Sequence, residues 1–252
     1  MGRRGPGRGS TEAPARVASF TEADGELAKA LDALTEATNY AAWIIDQAEA
    51  HIGAHILELG AGHGTVTDRL LEHGKVAAAD LSPRCVEVLR EKYEQHPDVE
   101  VLHGDVATVT AGRSFDTVVL VNVLEHIEDD GAALRTILAR LRPGGTVVLF
   151  VPAFQGLYSE FDRLVGHHRR YRRGELAALV KGAGFEVVEA RYVNCVGALA
   201  WWVVARQLGR FPKSRAAMRA YDRAVVPVIR AVESRWTPPF GQSVLCIGRR
   251  PA

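Results

Sequence analysis

The sequence predicts an α/β protein: a doubly wound, seven-stranded sheet, with helices ahead of it and a helical insert before its last strand. Three observations carry this. Short apolar runs alternate with helix-period segments from residue 56 to residue 193. Several of those runs, Phe115–Val121 above all, are apolar almost throughout, as strands covered on both faces must be. The first run leads through alternating glycines, Gly60-Ala61-Gly62-His63-Gly64, directly into a helix, the connection that opens a parallel crossover.

The elements follow in order. Residues 1–19 begin with a Gly/Arg/Pro-rich stretch that has nothing apolar to bury, and they read as a disordered tail. Residues 20–50 form a helical cap, with Leu27, Leu31 and Leu34 on one stripe and Trp43, Ile44 and Ile45 continuing it after an interruption at Asn39-Tyr40. The core, 51–193, opens with strand Ile56–Leu59, a helix carrying Val66, Leu70 and Leu71, and strand Val76–Ala79. Ser82-Pro83 then reads as an N-cap followed by proline at the first helical position, with Val86, Leu89 and Tyr93 on one helix face. Strands Val99–Leu102 and Phe115–Val121 come next. Leu134, Ile137, Leu138 and Leu141 mark a helix that Pro143-Gly144-Gly145 ends, ahead of strand Thr146–Val151. Leu176, Leu179 and Val180 mark another helix, closed by Gly182 and Gly184, before strand Phe185–Val193. Residues 194–240 are the insert, and 241–252 hold the last strand, Ser243–Gly248, and a short tail.

Composition bounds the function. A chain of 252 residues, 47% hydrophobic and 24% charged, is an ordinary globular protein with a sizeable core. A net charge of +1 offers nucleic acid no general attraction. The three cysteines, Cys85, Cys195 and Cys246, are far apart and fit neither a disulfide framework nor a C-x-x-C metal site, so no metal ligand is assigned and a reducing cytoplasm is expected. The apolar run Val196–Ala205 is too short to span a bilayer.

The glycine turn carries the chemistry. Glycine takes positive φ and lets another molecule approach the main chain, and a strand-to-helix turn aims N–H groups at what lies before it. Asp80, at the end of the next strand, is spaced to accept hydrogen bonds from a ribose diol. The glycines alternate strictly behind Glu58, unlike the G-x-G-x-x-G of dinucleotide sites, which disfavours a nicotinamide dehydrogenase. Here the sequence resembles the class I S-adenosylmethionine-dependent methyltransferases, whose first motif is (D/E)-x-G-x-G-x-G. The resemblance continues through Ala79-Asp80-Leu81-Ser82, Gly104-Asp105-Val106, Phe115-Asp116-Thr117-Val118-Val119, Asn122-Val123-Leu124-Glu125-His126 and Leu141-Arg142-Pro143-Gly144-Gly145-Thr146, covering roughly residues 40 to 190. It implies the class I methyltransferase fold, a mostly parallel sheet whose final two strands pair antiparallel.

It also implies roles. Tyr40, Glu58, Gly60, Ala61, Gly62 and Gly64 would contact the cofactor, Asp80 its ribose, and Leu81 its adenine. Asp105 and the Val106 amide, after Gly104, would read the adenine edge. Asn122 and Val123 would border the methionine portion. His126 sits where small-molecule members place a histidine at the site mouth, and an imidazole suits acceptor deprotonation; capping of the next helix beside Glu128, Asp129 and Asp130 is the other reading. A D-x-x-x-G-H-x-R-R-Y stretch found in a subset of the family is matched by Asp162 to Tyr171, after Pro152-Ala153-Phe154-Gln155-Gly156-Leu157-Tyr158. It adds His167 as a second catalytic candidate and Tyr158, Arg169, Arg170 and Tyr171, with Trp201 of the insert, as acceptor contacts. Arg169 and Arg170 read equally as an anion clamp or as a solvated basic loop.

The expected function is transfer of a methyl group from S-adenosyl-L-methionine, leaving S-adenosyl-L-homocysteine, to a small-molecule acceptor that is anionic or lipid-like. The alternative on the same fold is a cofactor-binding scaffold or a non-methylating, cyclase-like enzyme. No N-P-P-Y motif follows the fourth strand, which disfavours nucleic-acid substrates. Insertions at the ligand end of such sheets form lids or substrate walls. This one sets Trp201-Trp202 beside Arg206, Arg210, Lys213, Arg215, Arg219, Arg223, Arg230 and Arg235, so a peripheral membrane contact is a further reading.

Overall fold

The computed structural model describes residues 35–203 and 215–252. Seven strands form one sheet: β1 (His55–Leu59), β2 (Lys75–Asp80), β3 (Val99–His103), β4 (Phe115–Val121), β5 (Leu141–Pro152), β6 (Glu186–Val193) and β7 (Ser243–Arg249), in the order β3-β2-β1-β4-β5-β7-β6. The pairs from β3 to β5 are parallel, and β7 runs antiparallel between β5 and β6. The chain winds outward from β1 to β3, then returns to β4 on the other side of β1. That reversal opens a crevice at the carboxyl ends of β1 and β4, where doubly wound sheets bind ligands.

Alternation along the central strands explains the two layers, because successive side chains point to opposite faces. Leu57, Leu59, Val118, Leu120, Val147 and Leu149 join one buried cluster, under α5 (Asp130–Arg140) and α7 (Arg173–Gly182). Ile56, Val119, Val148 and Phe150 join the other. That second face is covered by α1 (Thr38–Asp46), α2 (Thr65–Leu70), α3 (Pro83–Lys92) and, from the insert, α10 (Val226–Glu233). Ser82 caps α3 with Pro83 in its first turn, and Cys85, Val86, Leu89 and Tyr93 are buried. Two short helices, α4 (Val106–Val109) and α6 (Glu160–Leu164), lie beside the strand tips, and α8 (Cys195–Trp201) and α9 (Arg215–Ala224) complete the described helices.

The structure corrects the sequence reading in two places. The interruption expected at Asn39-Tyr40 lies slightly earlier: residues 35–37 are turn and coil, and α1 runs from Thr38 through both residues. Ala37 has no side chain to cap it, and the cap comes from 183 residues away, where the buried Asp222 carboxylate of α9 accepts from the Asn39 and Tyr40 amides at 3.0 and 2.9 Å. Pro143-Gly144-Gly145 does not terminate a helix either. α5 has already ended at Arg140, and the three residues lie inside β5, where the pairing slips from Phe115↔Leu141 to Thr117↔Thr146. Gly144, at φ 77°, takes up the extra chain, as a bulge glycine does. The tail at 1–19, the leucine stripe 27–31–34, and Arg206, Arg210 and Lys213 lie outside the described residues. The described part of the insert is mostly helical. Glu233 ties it down by accepting from the Asn194 and Cys195 amides at 3.0 and 2.9 Å, at the start of α8.

Candidate functional site

The three turn glycines do different work. All have positive φ: 73° at Gly60, 56° at Gly62 and 78° at Gly64. A Cβ on Gly60 would lie 2.4 Å from Val123 Cγ2, and one on Gly64 2.6 Å from the Tyr93 hydroxyl. Those two glycines allow close packing. A Cβ on Gly62 would meet nothing within 4 Å, so this glycine faces open space. The Gly60 and Ala61 amides donate to Ala79 O at 2.8 and 3.0 Å, holding the turn across the tip of β2. Asp80 completes it, with Oδ2 accepting from the Gly62 amide at 2.9 Å and Oδ1 from the Ser82 amide at 2.8 Å.

The other expected cofactor residues lie along the same rim. Leu81 is half-buried next to Asp80, and its carbonyl lies 3.2 Å from His103 Nε2. The Gly104 amide donates to Asp80 O at 3.1 Å, joining the tips of β2 and β3. Asp105 caps α4 through the Thr108 amide at 2.8 Å, and Val106 begins that helix. Asn122 is a non-glycine residue at φ 53°, its amide on Phe150 O at 2.8 Å. Tyr40 differs in setting: its ring packs against Trp43 and Phe150 at 5.8 and 6.1 Å, and burial raises its phenol pKa.

Glu58 is 3% exposed behind the turn, and the Thr67 hydroxyl donates to it at 2.5 Å. Burial pushes its carboxyl up to about 8, against that hydrogen bond. In an unfolded chain this group ionises near 4.5. Between those values the unfolded state binds fewer protons, so its contribution to stability falls as pH rises from about 5 to about 8 and is flat above. Glu58→Gln is therefore expected to gain stability over the wild-type chain, on the order of 4 kcal/mol at pH 8.5 and little at pH 5. Denaturant melts across that range check this, and a pH-independent difference would refute it.

The Asp162-to-Tyr171 stretch forms a second cluster. Asp162 is fully buried. It receives Arg170 Nε and Nη2 at 2.8 and 3.0 Å, His167 Nδ1 at 2.7 Å, and the Ser159 amide and hydroxyl at 2.8 and 2.9 Å. Burial opposes its charge, but His167 and Arg170 outweigh that and hold the carboxyl at about 2. Arg169 donates to Asp130 Oδ2 at 2.8 Å and Glu128 O at 2.7 Å. The Tyr171 hydroxyl is buried, 2.9 Å from Asp130 Oδ2 and 3.3 Å from Leu124 O. Tyr158 donates to His167 O at 2.7 Å. Trp201 Nε1 donates to Leu157 O at 3.2 Å, and Arg170 lies 5.2 Å from its ring centroid. Both guanidiniums read as an anion clamp thus already serve internal carboxylates, and this motif braces the loop.

What the brace presents is a group of three. The His126 ring stands edge-on to His167 at 4.6 Å, and burial followed by that neighbour pushes its imidazole down to about 3. Glu125, to which no sequence feature gave a role, is fully buried within ion-pair range of His167, Nε2 to Oε1 being 3.7 Å. Burial pushes its carboxyl up to about 8. The Glu125-His126 dipeptide was visible in the sequence, but the approach of His167 was not.

Comparison with known proteins identifies the family. The family described as a methyltransferase domain matches residues 22–190. A protein of Streptomyces fradiae, an uncharacterized 37.1 kDa protein in transposon TN4556, is 32% identical over 168 residues, 60% of this chain and 49% of that protein. The ubiquinone biosynthesis O-methyltransferase of Xanthomonas euvesicatoria pv. vesicatoria is 35% identical over 153 residues, 54% of this chain and 64% of that enzyme. The chain thus spans about half to two thirds of the length of these curated relatives. The N-methyltransferase NodS of Bradyrhizobium japonicum, in complex with S-adenosyl-L-homocysteine, shares the fold with a TM-score of 0.54 at 15% identity, over 83% of this chain and 84% of its own. With two thirds of its length matched, and the strand order and glycine turn in place, the chain belongs to the class I, S-adenosylmethionine-dependent methyltransferase family.

Proposed function

We propose that this protein moves the methyl group of S-adenosylmethionine to a hydroxyl of a small, lipid-like acceptor. The observation that carries it is Gly62, open on its outer side while Asp80 holds its amide from behind. The donor's methyl is already activated as a sulfonium, so the protein has mainly to hold donor and acceptor in line. In this reading the turn and Asp80 hold the nucleoside, while His126 and His167 face the acceptor. The oxygen acceptor and its lipid-like character are supported by the Xanthomonas relative, whose name places it in ubiquinone biosynthesis.

The test uses labelled S-adenosylmethionine and fractions of cell extract. Wild-type chain should transfer label to a small organic-soluble product, and Gly62→Ala should fold yet transfer at least about tenfold less. An added methyl at φ 56° costs only about 1–2 kcal/mol of folding, but it occupies the open face. No transfer to any fraction, or equal transfer by the variant, would refute the reading.

A second reading concerns where the acceptor is met. The insert leaves apolar side chains exposed on α8 and just after it, Val196, Leu199, Trp202 and Val203, and on and after α10, Val228, Val232 and Trp236. Arg223 and Arg235 are exposed nearby in sequence, and no described helix is long and apolar enough to cross a membrane. We infer a peripheral contact with anionic lipid. Co-sedimentation with phosphatidylserine vesicles should fall with salt and at least about fivefold in a Trp202→Ala/Trp236→Ala variant; absence of binding at low salt would remove the inference.

A further inference from the structure

We propose that Glu125, His126 and His167 bind one divalent transition-metal ion, zinc in the first instance, leaving a coordination position for water or an acceptor oxygen. The three residues offer one carboxylate oxygen and two imidazole nitrogens, all within 4.8 Å of one another. Two nitrogens and one oxygen with an open position is the donor set of many catalytic zinc sites. A bound ion would draw these atoms to about 3.4 Å apart, given bonds near 2.0–2.1 Å in a tetrahedral arrangement. The Glu125–His167 pair already stands near that spacing, Nε2 to Oε1 being 3.7 Å.

Two further observations point to a cation. The first is Glu125 itself. It is fully buried, and neither carboxylate oxygen has a hydrogen-bond partner in another residue. A carboxylate left so in the interior is costly. The neighbouring guanidinium does not relieve it, because Arg170 Nε and Nη2 are both spent on Asp162. Asp162 and Arg170 satisfy each other, which leaves the Glu125 carboxyl as the group without a hydrogen-bond partner in another residue among these buried side chains. The second is the support behind His167. Its Nδ1 is fixed on Asp162 at 2.7 Å, which turns Nε2 toward Glu125. A carboxylate behind the far ring nitrogen is the usual orienting partner of a metal-binding histidine, and it sets the tautomer that leaves the near nitrogen's lone pair available. Asp162 is in turn held by Arg170 and Ser159, and the His168 amide donates to Glu125 O at 2.9 Å, joining the two loops.

A role for the ion in catalysis rests on the methyl-transfer reading; the site itself does not. An acceptor hydroxyl coordinated there would lose its proton to solvent water more readily, presenting the donor with an alkoxide or phenolate.

The test takes the full-length chain, dialysed against a chelator, and titrates it with zinc by calorimetry and with cobalt by visible absorption. One equivalent should bind, with cobalt showing the intense d–d bands of a four- or five-coordinate site. Glu125→Gln and His167→Gln should each weaken zinc binding at least about tenfold, on the scale of losses at such sites. Magnesium should not compete, because two donors are imidazole nitrogens. Thermal melts and S-adenosylhomocysteine binding of Glu125→Gln, a near-isosteric change, establish that its fold persists. Zinc uptake unchanged in both variants, absence of uptake, or displacement by magnesium would each overturn the site. A chain that takes up zinc but binds no S-adenosylhomocysteine would refute the methyl-transfer reading alone; one that binds S-adenosylhomocysteine but no metal would refute the site alone.

Discussion

Asp80→Ala is expected to weaken S-adenosylmethionine binding about a hundredfold, the largest loss of any single change at the rim. One carboxylate oxygen positions the Gly62 amide and the other the Ser82 amide. In the proposed complex the same group also accepts from the ribose. Charge-assisted hydrogen bonds contribute about 1.5–3 kcal/mol each, and roughly 3 kcal/mol is a hundredfold in affinity. Asp80→Asn keeps one acceptor oxygen and should fall between, near tenfold. Calorimetry with S-adenosylhomocysteine reads both, and an unchanged affinity in the alanine variant would show that the ribose lies elsewhere.

Asp162→Ala should cost the most stability, about 3–5 kcal/mol, because it leaves a buried guanidinium without its counter-charge. The Arg170 side chain is 3% exposed and has both Nε and Nη2 on this carboxylate. For a chain of this size the loss corresponds to a fall in Tm of about 10 °C or more. The wild-type interaction should survive mild acid. Its carboxyl is depressed below the ordinary 3.8, so its contribution is complete above that value and is lost only as pH falls toward about 2. Differential scanning calorimetry checks the size of the effect. A drop under about 2 °C would mean that Arg170 finds another acceptor.

Local signals were the legible ones. The glycine turn, Asp80 and the Ser82-Pro83 cap declare themselves within a few residues, since backbone geometry and strand length set their spacing, and each is found where the sequence places it. Contacts across the fold were not legible. Asn39-Tyr40 reads as a break from its local sequence, and the acceptor that holds these residues in α1 comes from Asp222 of α9. Pro143-Gly144-Gly145 reads as a helix stop, although here it serves a register slip set by β4. The basic loop could not disclose that Arg169 would be taken by Asp130, nor that Glu125 and His167, 42 positions apart in sequence, would meet.

The Asp222 cap couples two elements far apart in sequence. Because this carboxylate fastens the front helix to the insert, the two cannot part without stripping two amides of their acceptor and wetting an acid that is 1% exposed. A flap hinged on α9 alone is therefore a costly motion. The front helix and α9 thus shift as one body, and replacing Asp222 would uncouple them.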